Sequence, residues 1–157
     1  MLASTTVEIN GTAYTVGQLP ADAAFDVGCI VAEWRARQSA AYGDGVGSIE
    51  VRAGADPMAT DVPLGKIMAG EATARRVRAQ MLRDPEYRKN VWDRVLGVCM
   101  GADGVPVMRA DWTTRFAGER LADLFALHEA AIEHSCGPFL RRLGVEAPGQ
   151  TPSQPQS

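Results

Sequence analysis

The dipeptide Asn10-Gly11 is the feature that most limits how this chain can fold. It lies between two runs of residues that favour strands, TTVEI and TAYTV. Asparagine and glycine tolerate the positive φ angles that a type I′ turn needs at both central positions, so the pair predicts a two-residue β-hairpin. We expect the hairpin to span residues 5–16 and to act as a scaffold, because it holds no group suited to catalysis.

Helical periodicity follows the hairpin along most of the chain. Pro20 stands at the start of the first apolar stripe, and proline is well tolerated in the first turn of a helix. Apolar residues that recur every three or four positions predict four helices, over about residues 20–38, 66–83, 85–100 and 118–135. The sequence therefore predicts one globular domain over residues 1–146, an α+β fold that is predominantly α-helical with an N-terminal β-hairpin.

Other segments lack this periodicity. Residues 43–61 are rich in Gly, Asp and Pro and predict a flexible loop, with a short strand over residues 47–52 within it. The sequence VPVM at residues 105–108 predicts a short extended piece. Gly137-Pro138 is expected to end the last helix, and residues 147–157, rich in Pro, Gln and Ser, predict a disordered tail.

Charge and cysteine content exclude several classes of protein. The net charge of −3 disfavours a nucleic-acid partner. No apolar run approaches the roughly 18 residues of a membrane span, and no secretory signal precedes the hairpin, so we expect neither a membrane partner nor secretion. Three separated cysteines, Cys29, Cys99 and Cys136, without a CxxC pair indicate a soluble protein of a reducing, intracellular compartment.

The pair His128-Glu129 invites comparison with zinc metalloproteases. Their HExxH motif needs two histidines one helical turn apart, so that both face one ion. The second histidine here, His134, is six residues further on and lies on another side of a regular helix. We therefore expect no metal at this pair. The sequence also shows no nucleophile elbow, catalytic-triad spacing or carboxylate dyad, so we expect no cofactor and no catalytic residue, and a small metal-dependent enzyme is kept only as a minor alternative.

A basic cluster formed by Arg75, Arg76, Arg78 and Arg83 is the sharpest charge feature. It is most simply the solvated face of an amphipathic helix, balanced by nearby acidic residues. The alternative is a contact with an acidic protein surface.

Three blocks of the sequence resemble, in the same order, tail assembly chaperones of tailed bacteriophages. VEINGTAYTVGQLPADAAFDV (residues 7–27) is similar to their opening hairpin, I-N-G-x-x-Y, and to the helix after it, which carries a Phe; here this is Phe25. VLGVCMGADGVPVMRAD (residues 95–111) resembles their helix end, glycine turn and V-P-V piece. HEAAIEHSCGPFLRRL (residues 128–143) is similar to their last helix, with matches at Gly137 and Phe139.

The resemblance implies a non-enzymatic protein of virion morphogenesis. Such a chaperone binds the tape measure protein, keeps it soluble, assists assembly of the tail tube in the host cytoplasm, and is absent from the mature virion. The implied partners are the tape measure protein and the tail tube protein, with self-association as a further option. The alternative is another tail or neck morphogenesis protein that is retained in the virion.

The partner-binding candidates are the apolar residues that the helical stripes need least. They are Trp112, Phe116, Phe139, Leu140 and Leu143. Their alternative role is to complete the core around the last helix.

Overall fold

The computed structural model describes residues 2–47 and 61–145 of the chain. The tail over residues 147–157, which the sequence predicts to be disordered, and most of the predicted loop, including residues 48–52 of its short strand, lie outside the described residues. The described residues form two compact units, residues 2–31 with 85–145 and residues 32–47 with 61–84.

The first unit begins with the predicted hairpin. Strands β1 (Ser4–Ile9) and β2 (Thr12–Gly17) pair antiparallel in one continuous register. Asn10 and Gly11 between them have φ angles of 48° and 78°. Both values are positive, as a two-residue type I′ turn requires. The hairpin prediction is confirmed.

A third strand extends the sheet on the β2 side. β3 (Cys99–Met100) pairs antiparallel with β2, and the strand order is β1-β2-β3. The predicted extended piece returns alongside β3, where Pro106 bridges to Met100 and the Val107 N–H donates to the Cys99 carbonyl at 2.9 Å. This pairing satisfies backbone groups that a simple loop would leave to water.

Helices make up most of the described residues. They are α1 (Ala21–Gly47), α2 (Asp61–Arg83), α3 (Pro85–Tyr87), α4 (Asp93–Gly97), α5 (Trp112–Arg115) and α6 (Leu121–Arg142). A π-helical turn, Arg88–Trp92, joins α3 to α4. The α+β fold class, mainly helical with an N-terminal hairpin, is confirmed.

The helical segment that starts at Pro85 is shorter than predicted. It leaves helical geometry after Gly97, whereas the apolar spacing predicts helix to residue 100. The reason is tertiary, because Cys99 and Met100 pair with β2 and cannot also bond within a helix. Burial of Val91, Val95 and Leu96 agrees with the predicted stripe.

Helix α6 packs against the hairpin and forms the core of the first unit with it. Val16 of β2 and Leu127 and Ala131 of α6 are completely buried, and burying a Val or Leu side chain stabilises the fold by about 1.5–3 kcal/mol. A polar contact follows in the link between β2 and α1, where the Leu19 N–H donates to the Ser135 hydroxyl of α6 at 3.1 Å. Together these contacts hold the chain from β2 to the start of α1 against α6.

Helix α6 continues past the residues predicted to end it. It contains Pro138 and reaches Arg142, although proline inside a helix costs about 3 kcal/mol. Leu140, which is 1% exposed, lies beyond the proline and offsets part of that cost by burial. The helix ends in a Schellman motif, in which Gly144 has φ 68° and the Val145 N–H donates to the Leu140 carbonyl at 3.0 Å.

In the second unit, α1 and α2 extend into the segment predicted as a loop. Residues 43–47 are helical, and α2 begins at Asp61. Gly45 of α1 and Gly70 of α2 let the two helices pack closely: a Cβ at Gly45 would lie 2.6 Å from the Ala69 carbonyl oxygen, and one at Gly70 would lie 2.7 Å from a Val46 methyl group. The prediction of a loop over these residues was wrong because composition cannot distinguish a flexible glycine from one required by a neighbouring helix.

We predict that Gly45→Ala destabilises the second unit. Its methyl group meets backbone atoms of α2, which cannot move aside cheaply, so the free energy of unfolding should fall by about 1–3 kcal/mol. Gly43→Ala is the matched control, since a Cβ there meets no atom within 4 Å and alanine favours helix by up to about 1 kcal/mol. Urea unfolding of both variants measures the difference, and equal effects would contradict the close approach.

Candidate functional site

The structure separates the five partner-binding candidates by exposure. Phe116 and Leu140 are 3% and 1% exposed and belong to the core. Trp112 and Phe139 are half-buried, and Leu143 is exposed. In this conformation Phe116 and Leu140 are therefore not available to a partner.

Phe116 and Trp112 lie close in sequence but pack in different places. The Phe116 ring stacks with Tyr14 of β2, with 6.2 Å between ring centroids. The Trp112 ring contacts Trp92 at 5.4 Å and lies under the Arg109 guanidinium at 5.8 Å. Phe116 thus packs on the hairpin, and Trp112 packs on the π-helical turn.

Trp92 also belongs to an aromatic cluster built around His128. The His128 ring is 1% exposed and stacks on Trp92 with 4.5 Å between centroids. Its Nε2 lies 3.5 Å from the Tyr87 hydroxyl, and its Nδ1 lies 3.5 Å from a Glu129 carboxylate oxygen. Tyr87, at the end of α3, and Trp92, in the π-helical turn, both contact this ring, so His128 is a core residue with polar neighbours.

The two histidines do not converge. His134 is only half-buried, and its Nε2 lies 3.5 Å from the Ala3 carbonyl oxygen beside β1. Within residues 2–47 and 61–145, no group of three or more His, Cys, Asp or Glu side chains is placed to hold a metal ion. In the same residues no helix is both long enough and apolar enough to cross a bilayer.

An exposed apolar surface, here called the Phe25 surface, is formed by Phe25, Phe139 and Leu143. The Phe25 ring is 58% exposed and meets the Phe139 ring at a tilted angle, with 5.5 Å between centroids. Leu143, 53% exposed, directly follows α6, and its N–H donates to the Phe139 carbonyl at 3.2 Å, so the two residues lie one helical turn apart on the same side of the helix end. The surface thus joins the start of α1 to the end of α6.

Close packing beneath the Phe25 surface holds it in place. A Cβ at Gly28 would lie 2.7 Å from the Phe139 ring, so α1 can approach this ring only at a glycine. The Cys136 thiol donates to the Ala24 carbonyl oxygen at 3.3 Å. The rings are therefore presented by two helices in direct contact, as a preorganised binding surface requires.

Sequence reasoning did not include Phe25 among the site residues, although a signal for it existed. Phe25 lies off the apolar stripe of the first helix, which follows Ala23, Val27, Ile30 and Trp34. A large aromatic residue outside the buried stripe is expected at the surface.

A shallow groove of about 320 Å³ adjoins the Phe25 surface along α1. It is lined by Asp26, Cys29, Ile30, Asn90 and Arg94. Arg94 Nη1 lies 3.6 Å from Asp26 Oδ2, in an ion pair that is largely exposed and therefore contributes little to stability. Asp26, the residue after Phe25, thus places a charged pair beside the apolar surface.

At the other end of the first unit, an arginine holds the loop after β3. Arg115 Nη2 donates to Asp103 Oδ2 at 2.6 Å, and its Nη1 donates to the Val105 carbonyl at 3.2 Å. The pKa of Asp103 lies below its usual value, chiefly because the Val105 N–H donates to the carboxylate and also because Arg115 lies beside it. This clamp positions β3 and the piece that pairs with it.

No protein-family model matches the chain, and no significant match was found among curated proteins or solved structures. The structure itself defines the class as an α+β, mainly helical protein. Among the described residues, an exposed surface with two aromatic rings joins the start of α1 to the end of α6, and its chemistry suits apolar contact with another macromolecule.

We predict that Cys29 is the fast-reacting thiol of the native protein. Cys29 is exposed, whereas Cys99 and Cys136 are buried and burial raises the pKa of Cys99 to about 12. A buried thiol that stays protonated reacts slowly, because the thiolate is the nucleophile. A disulfide reagent at pH 8 should modify one thiol rapidly and all three after denaturation. The Cys29→Ser variant should lose the rapid phase. A rapid phase that persists in this variant would show that Cys99 or Cys136 is accessible and would contradict their burial.

Proposed function

We propose that the chain is a tail assembly chaperone of a tailed bacteriophage. It acts in the host cytoplasm, binds the tape measure protein, keeps that protein soluble and assists assembly of the tail tube around it. The three sequence blocks that resemble this family support the proposal, as does the order of a hairpin followed by helices. The chain then leaves before the virion is complete and catalyses no reaction.

The observation that carries the proposal is the Phe25 surface. A long helical tape measure protein exposes apolar helical faces that would otherwise associate with one another. A partner can cover such a face by laying large apolar side chains against it. Phe25 and Leu143 are each more than half exposed, so a partner that covers them removes apolar surface from water, which favours binding.

The Phe25 surface is already rigid before a partner binds, which favours binding at one specific site. Phe139 is fixed between Phe25 and Gly28, so few rotamers are lost when a partner binds. Aromatic side chains in such positions supply much of the affinity of an interface.

The test is co-expression with the tape measure protein of the same phage. We expect a soluble complex with the wild-type chain and loss of the tape measure protein from the soluble fraction without it. The double variant Phe25→Ser/Leu143→Ser removes two anchors worth about 1–2 kcal/mol each, so affinity should fall at least about 30-fold.

Leu121→Ser is the matched control for this experiment. Leu121 is 51% exposed on the same helix but lies in its first turn, away from the Phe25 surface. This variant should bind and solubilise the tape measure protein as the wild type does. If the wild-type chain forms no complex with the tape measure protein and does not increase its solubility, the proposed function is wrong. If Leu121→Ser lowers the affinity as much as the double variant does, the Phe25 surface is not the binding surface.

A further inference from the structure

Strand β1 is an edge of the sheet with nothing paired along its outer side in the described part of the chain. The strand order β1-β2-β3 gives it one partner only. Ser4, Thr5, Thr6 and Glu8 are all exposed, and Ile9 is its only buried residue. An edge of this kind offers rows of backbone donors and acceptors to another strand.

The hairpin geometry identifies which backbone groups face outward. In a two-residue hairpin, the residues beside the turn bond to each other, and these are Ile9 and Thr12. Bonded and non-bonded pairs alternate along an antiparallel ladder. The N–H and C=O groups of Ser4, Thr6 and Glu8 therefore point away from β2.

The edge lacks the usual features that prevent pairing. Proteins commonly protect edge strands with proline, lysine or a β-bulge. The sequence STTVEI contains neither proline nor lysine, and all six residues pair with β2 without a bulge. Its single charge is that of Glu8.

We propose that β1 pairs antiparallel with β1 of a second copy of this chain, about a two-fold axis at Thr6. In this register Thr6 faces Thr6 of the other copy, and Ser4 faces Glu8. Every outward-facing residue then bonds to an outward-facing residue, which gives about six backbone hydrogen bonds. The interface is isologous, as most dimer interfaces are.

Charge distinguishes this register from its neighbours. A two-fold axis at Glu8 would place two carboxylates directly opposite each other, which destabilises a strand pair. An axis at Ser4 would leave the outward groups of Glu8 without a partner strand. With the axis at Thr6, the two carboxylates lie four residues apart along the strands, roughly 13 Å, which is beyond the Debye length at physiological ionic strength.

The dimer has a continuous six-stranded sheet made of two copies of the β1-β2-β3 sheet. Because the two-fold axis of an antiparallel pair is perpendicular to the sheet, both copies of α6 lie on the same face. The Phe25 surface takes no part in this pairing, so the inference stands independently of the proposed function.

The first test is the oligomeric state of the full chain by sedimentation velocity over a range of micromolar concentrations. We expect a wild-type dimer in reversible equilibrium with monomer. Thr6→Pro removes an outward N–H and leaves the bonds to β2 intact, since proline is tolerated at an edge strand; it should weaken dimerisation at least about 10-fold. Thr6→Val keeps the N–H and should dimerise as the wild type does. A monomeric wild type, or a dimer that Thr6→Pro leaves unchanged, would overturn the proposal.

The second test examines the register through charge and does not depend on how the hairpin tolerates proline. Ser4→Lys places an ammonium group opposite Glu8 of the other copy, twice per dimer, and should tighten dimerisation roughly two- to ten-fold at low salt. Ser4→Glu places a carboxylate there and should weaken it by a similar factor. Shifts in the same direction for both variants would show that Ser4 does not face Glu8, and the Thr6-centred pairing would be wrong.

Discussion

The hydrogen bond between Asn10 and Asp123 connects the turn of the hairpin to the start of α6, across 113 positions of sequence. Asp123 is 4% exposed, and a buried carboxylate is costly unless its oxygens are paired. The Asn10 amide donates to one oxygen, and the Arg120 guanidinium lies 3.9 Å from the other. The first turn of α6 adds its own favourable dipole. Two features therefore hold Asn10 in place: its positive φ angle and its hydrogen bond to Asp123.

This connection has consequences along the whole of α6. With the turn held at one end, the Leu19 N–H meets the Ser135 hydroxyl near the other end, and α1 starts immediately afterwards. Phe25 is thereby brought against Phe139. The hairpin contributes no reactive group, but it determines where the two helices that carry the aromatic rings meet. The proposed chaperone contact depends on that position.

The sequence predicts features that depend on neighbouring residues and misses those that depend on distant ones. Asn10 and Gly11 specify their turn locally, so the hairpin could be predicted. The glycine-rich composition around Gly45 suggests a loop. The true reason for this glycine could not be read from the sequence, because its close contact is with residues of α2 far along the chain. Pro138 predicts too early an end for α6. A glycine followed by an apolar residue, here Gly144 and Val145, is a sequence signal for the end that the structure shows. At the site, exposure of Phe25 follows from its place off the apolar stripe, whereas burial of Phe116 against Tyr14 needed the tertiary structure.

The most direct measurement of this dependence is a double-mutant cycle between the hairpin turn and α6. Asn10→Gly keeps the positive φ angle accessible and removes only the side-chain amide, and Asp123→Ala removes its acceptor. Urea unfolding of the wild type, both single variants and the double variant gives the coupling free energy. The structure predicts a coupling of about 1 kcal/mol or more, because the second substitution costs little once the first has removed the bond. Free energies that add within about 0.3 kcal/mol would contradict the account.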